Sequence, residues 1–107
     1  MQTAYITHPS SVLHDMGEGH PECADRVKAI NDRLLAVGLL DLMDARDAPS
    51  ATREQIARAH ATLHIDELEA ASPSTGFVRI DPDTVMNRHT WRAALHAAGA
   101  AVLATEL

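Results

Sequence analysis

Histidine is the first residue type to question in this chain. Seven occur among 107 residues, and His8, His14 and His20 recur every six positions. Near neutral pH an imidazole can bind a metal, carry a proton or hold a hydrogen bond. Pro9, Ser10, Ser11, Gly17 and Gly19 punctuate the segment between them, so it reads as a loop. A histidine-rich loop at the end of a strand suits a ligand or substrate site, because α/β sheets gather functional groups at strand ends. The plainer reading is that His8 and His14 hydrogen-bond nearby backbone and fix the loop's shape.

His60 and His64 stand four apart, the spacing that places two imidazoles on one helix face for zinc. No Glu follows His60, so this is not the HExxH arrangement. Thr62 and its neighbours point to a break between two short helices, which would spoil the geometry. A histidine-based metal-binding module is therefore an alternative reading, weaker than accidental spacing. His89 and His96 have no evident partner. Cys23 lacks an activating base and reads as a structural or incidental thiol.

A sharper signal is Gly19-His20-Pro21-Glu22 followed by Arg26. Glu22 and Arg26 are one helical turn apart, so an ion pair is available. Taken alone, this is a helix start with a surface salt bridge.

Stepping from these residues to their supports, Thr3 to Thr7 reads as a short strand. Pro21 suits a first helical position. Val27, Ile30, Leu34 and Val37 repeat at three and four, and Gly38 is a plausible cap, so a helix is expected from about Pro21 to Val37. Leu39 to Met43 is ambiguous between a strand and a helical turn. Thr52 and Gln55 have capping-box spacing, which predicts a short helix with Ile56 and Ala59 inward. A further helix is expected over Leu63 to Ala71, then a turn from Ser72 to Gly76, an extended run from Phe77 to Ile80 and a loop at Asp81 to Asp83. From about Thr90 the chain reads as helix, with Ala94, Ala97, Ala98, Gly99 and Ala101 forming a surface that another element can approach closely.

Composition excludes some functions. A net charge of −6 with scattered Lys and Arg argues against nucleic acid. The apolar fraction of 46% is globular, and no run can cross a bilayer. A single cysteine and no recognisable leader give a cytoplasmic expectation.

The pattern also reads as unfinished. One confident strand and two doubtful ones alternate with helices, as in a parallel sheet with crossover helices, yet each strand lacks neighbours. The last helix reaches Leu107 with no stop signal. Self-association through an exposed sheet edge or the last helix stays open. The competing architecture is a small all-α domain with a short hairpin, a noncatalytic module binding a partner through its Ala-rich last helix.

Three runs together resemble the histone deacetylase and acetylpolyamine amidohydrolase family, in its bacterial class-II-like branch. They are His8-Pro9-Ser10 with His14 to Glu22 and Arg26; Leu68 to Gly76 with Asp81 to Val85; and Trp91 to Val102. The resemblance implies an α/β fold, residues 1–107 being the N-terminal segment of one three-layer, parallel-sheet arginase/deacetylase-like domain. It implies a zinc-dependent hydrolase that removes acetyl groups from acetyl-lysine or acetylpolyamine-type amines. The family's zinc ligands, catalytic His pair and transition-state Tyr lie downstream of the matched positions, so this stretch alone is expected to be inactive. Three positions carry over. Arg26 resembles the arginine of the internal pocket where acetate collects, Asp83 the rim aspartate that holds substrate backbone, and His20 part of the first loop flanking the tunnel. Cys23-Ala24-Asp25 departs from relatives that carry a Pro there. His60 to His64 replaces a run that usually holds Asp-Pro and a Tyr.

Overall fold

The opening strand pairs with a segment whose composition conceals it. In the computed structural model, which describes residues 2–107, β1 (Ala4–Thr7) runs parallel to β2 (Asp44–Asp47), with Ala4 opposite Asp44 and Thr7 opposite Asp47. The pairing extends beyond both ends: the Asp44 amide donates to the Thr3 carbonyl at 3.0 Å and the Ala48 amide to the Thr7 carbonyl at 2.7 Å. The sequence Asp-Ala-Arg-Asp has poor strand propensity. An ion pair of 2.8 Å between Arg46 and Asp44 lets the two charged side chains share one face. The ambiguous Leu39–Met43 run resolves into a short 3-10 turn at Leu40–Leu42 that delivers the chain into β2.

Between these strands lies α1 (Ala24–Ala36). It begins three residues later than the sequence suggests. The Glu22 amide donates to His20 Nδ1 at 3.0 Å, so Pro21 and Glu22 belong to a turn and Cys23 takes the extended conformation that precedes a helix. The helix ends as expected. Gly38 adopts a φ of 77°, a left-handed conformation that L-residues resist, and its amide bonds the Leu35 carbonyl at 3.2 Å. The apolar stripe is only partly covered: Val27 and Leu34 are half-buried, while Ile30 and Val37 are exposed.

After β2 the chain crosses the last helix. The Thr52 hydroxyl accepts from the Gln55 amide at 3.1 Å and the Gln55 side chain accepts from the Thr52 amide at 2.9 Å, the anticipated capping box of α2 (Arg53–Ala57). This helix is shorter than expected, leaving Ala59 outside it and exposed. Arg53 pairs with both Asp66 and Glu69 on α3 (Thr62–Ala71), and Ile65 is buried beneath. An antiparallel hairpin follows, β3 (Val78–Asp81) and β4 (Thr84–Met86). The loop expected at Asp81 to Asp83 is its turn, with the Asp83 amide donating to Asp81 Oδ1 at 2.9 Å.

The final helix, α4 (Thr90–Glu106), is the spine. The loop leaving β2 approaches its small-residue surface at Gly99, while Ala94, Ala97 and Ala101 stay exposed. Gly99 is buried there, and a Cβ at that position would fall on the Pro49 carbonyl, 2.7 Å from its carbon and 3.0 Å from the Ala51 nitrogen. The Ala51 amide donates to the Leu95 carbonyl at 3.0 Å, and Ala48 and Ala51 are among the few buried apolar residues. Close approach of backbone to backbone at a glycine is what fixes this crossing.

Candidate functional site

The loop after β1 makes three contacts with two other elements, α4 and the hairpin, each through a histidine. His8 caps a 3-10 turn (Pro9–Val12): its Nδ1 accepts the Ser10 amide at 3.0 Å and lies 2.7 Å from the Ser10 hydroxyl. Ser10 is buried, 2% exposed, so this acceptor replaces a water it cannot reach. The ring of His8 stacks on His96 of α4, with centroids 3.4 Å apart and planes 5° from parallel. His96 in turn donates from Nδ1 to the Ala48 carbonyl at 2.9 Å. Burial, with His96 and Arg92 as neighbours, holds the His8 pKa below its usual value; Asp47 opposes the shift.

His14 sits 2.7 Å from the Thr90 hydroxyl at the start of α4. That hydroxyl accepts the Asn87 amide at 2.9 Å and donates to Asn87 Oδ1 at 3.1 Å, which leaves His14 Nδ1 as the donor. The Asn87 side-chain amide donates to the Leu13 carbonyl at 2.9 Å, closing a network between loop and helix start. His8 thus fixes its local loop as the plainer sequence reading expects. His14 does not act locally; its partner lies 76 residues away.

His20 and Asp83 meet. His20 Nε2 donates to the Asp83 carbonyl at 3.0 Å while Nδ1 accepts the Glu22 amide, so one neutral ring bridges the first loop and the hairpin turn. Asp83 contributes its backbone here; its side chain is exposed. Arg26 lies apart from this pair. It donates to Glu22 at 3.1 Å and lines a cavity of about 240 Å³ with Ser11, His14, Thr90 and Ala93. The remaining guanidinium N–H groups can take a carboxylate in paired hydrogen bonds. The ion pair is exposed on both sides, so its worth is at most about 1 kcal/mol.

His60 follows the end of α2 and His64 lies in α3, so the break expected between two short helices is present. Their centroids are 5.6 Å apart with planes tilted by 37°. Among the described residues no three His, Cys, Asp or Glu side chains converge as metal ligands. Sequence reasoning missed Asn87, Thr90 and His96. The Asn-x-x-Thr spacing before an apolar helical run was the available signal for the first two. His96 gave none, because its partners come from the loops after β1 and β2.

No helix among the described residues is long and apolar enough to cross a membrane. Residues 20–107 match a family model described as the histone deacetylase domain. A solved structure, the crystal structure of the HDA15 HD domain, is similar at 28% identity with a TM-score of 0.85, covering 98% of this chain and 31% of that one. This chain therefore spans about a third of that chain's length. Comparison with curated proteins found no match.

Proposed function

The chain belongs to the histone deacetylase family, and from that premise we propose that it forms part of a zinc-dependent amidohydrolase removing acetyl groups from acetyl-lysine or acetylpolyamine-type amines. Its architecture is α/β with a parallel strand pair, consistent with the arginase/deacetylase-like fold. The observation that carries the proposal is the family match over residues 20–107, supported by the backbone agreement across 98% of the chain. In such enzymes zinc polarises the amide carbonyl and activates water. The donors of this chain do not fit that metal, since no three of them converge among the described residues. Its own contribution is positional.

Arg26, which lines the cavity beside His14, would receive the carboxylate that deacetylation releases. His20 and Asp83 would form one rim of the substrate entrance, their hydrogen bond setting the distance between first loop and hairpin. The exposed Leu35, Leu39, Leu42 and Leu63 support the view that a larger catalytic domain covers much of this segment. A net charge of −6 supports a small acylated amine over a nucleic acid, and a single cysteine supports a reducing, cytoplasmic setting.

Two measurements on the 107-residue chain test this. Acetyl-lysine peptide should not be hydrolysed with or without added zinc; zinc-supported turnover would overturn the division of labour. Acetate titrated by NMR should shift the Arg26 side chain and the Thr90 and Ala93 amides, and Arg26→Met should abolish those shifts. Acetate that perturbs none of them refutes the pocket assignment.

A further inference from the structure

We propose that the stacked His8–His96 pair is a pH-operated latch between the first loop and α4, closed while His8 is neutral and opened when His8 takes up a proton. The geometry assigns each ring its tautomer. His8 accepts at Nδ1 from the Ser10 amide, so its proton is on Nε2. His96 donates from Nδ1 to the Ala48 carbonyl, so its free lone pair is on Nε2. Protonating His8 converts its only acceptor into a donor facing the Ser10 amide, itself part of a residue 2% exposed. The Ser10 hydroxyl, 2.7 Å from Nδ1, can accept the new proton, but the ring cannot then stay where it is without leaving the amide unpaired. The new cation would also lie flat against His96, with Arg92 on the same helix opposing it.

The surroundings compensate only in part. From α4 the groups facing His8 are His96 and Arg92; from β2 there is Asp47, whose charge favours protonation. Lys28 and Asp32 of α1, with Tyr5 of β1, line the same depression and offer one cation and one anion. On the other side is a cavity of about 350 Å³ lined by Ile6, Val27, Ile30, Ala93 and Ala97, an apolar wall against which a charged imidazole is poorly solvated. The lowered pKa of His8 agrees in direction. A group whose folded pKa is depressed as a base stabilises the fold above its unfolded value of about 6.5, and that stability declines as pH falls toward the folded value.

The test is amide hydrogen exchange at Ser10 in the 107-residue chain, corrected for the intrinsic pH dependence of exchange. Protection should fall between about pH 7.5 and about pH 5, the direction set by a folded-state pKa below the unfolded one. His8→Asn keeps an acceptor for the Ser10 amide but cannot titrate, and its protection should be independent of pH. Equal wild-type protection at both pH values, or a parallel loss in His8→Asn, overturns the latch. Should that variant fail to fold, the imidazole resonances of the unaltered chain decide. His8 should titrate below the ordinary histidine value and lose its ring contacts with His96 as it does so. Titration at the ordinary value with the stack retained refutes the proposal.

Discussion

Gly99→Ala should destabilise the chain even though alanine is the better helix former. The substitution gains about 1 kcal/mol of intrinsic helix propensity. Against this, the new methyl falls on the Pro49 carbonyl and within 3.0 Å of the Ala51 nitrogen. Both obstacles are backbone, so no rotamer change relieves them, and α4 must part from the loop. Overpacking of this kind costs about 1–3 kcal/mol. The separation also strains the hydrogen bond from the Ala51 amide to the Leu95 carbonyl and that from His96 to the Ala48 carbonyl. Leaving one such buried group unpaired costs a further ~1–3 kcal/mol. The net expectation is a loss of about 1–5 kcal/mol, read as a lower urea midpoint at an unchanged m-value. Ala101→Gly, at an exposed position of the same helix, is the control and should cost only about 1 kcal/mol. A Gly99→Ala protein as stable as the parent would show that the loop does not lie on α4 as described.

Two further outcomes follow from local hydrogen bonding. Thr52→Ala removes one half of the capping box and should lower stability by about 1 kcal/mol in urea unfolding, with Thr52→Ser nearly neutral. The Asp81 carboxyl is held below its usual pKa first by the Asp83 amide and then by the Thr84 hydroxyl. Its contribution is therefore present above about pH 4 and lost as pH falls through the folded value, and Asp81→Asn should flatten that part of the urea midpoint against pH.

The helices were legible because their signals are local. The capping box at Thr52 and Gln55, the stripe from Val27 to Val37 and the positive φ of Gly38 all act within a few residues. The strands β2 and β4 were not legible. Asp44 to Asp47 is a strand only because β1 supplies a partner with matching register, and Thr84 to Met86 only because β3 folds back on it. Propensity carries no information about a partner forty residues away. The same divide runs through the site. Arg26 with Glu22 could be anticipated from spacing one helical turn apart, and His20 with Asp83 were both singled out, but their hydrogen bond could not be foreseen. His96 was unreadable because its role depends on two segments that reach it from elsewhere in the chain.

The recurrence of histidine through the first loop has a geometric explanation that does not require a metal. A neutral imidazole offers one acceptor and one donor on opposite sides of a rigid ring. His20 uses both, taking the Glu22 amide on one side and giving to the Asp83 carbonyl on the other. An asparagine amide presents its donor and acceptor from one carbon and spans a shorter gap, while a glutamine spans the gap at a greater loss of rotamer freedom. His8 uses its acceptor for Ser10 and its face for His96; His14 uses its donor for Thr90. Each ring therefore joins the loop to a different contact, and six-residue spacing lets one loop reach the hairpin, the start of α4 and its middle. This choice of connector has a consequence that amides would not. Where Nδ1 of His8 accepts from Ser10, an added proton converts an attachment into a repulsion. The loop beside Arg26 is thus tied down at His8 by a bond that an added proton breaks.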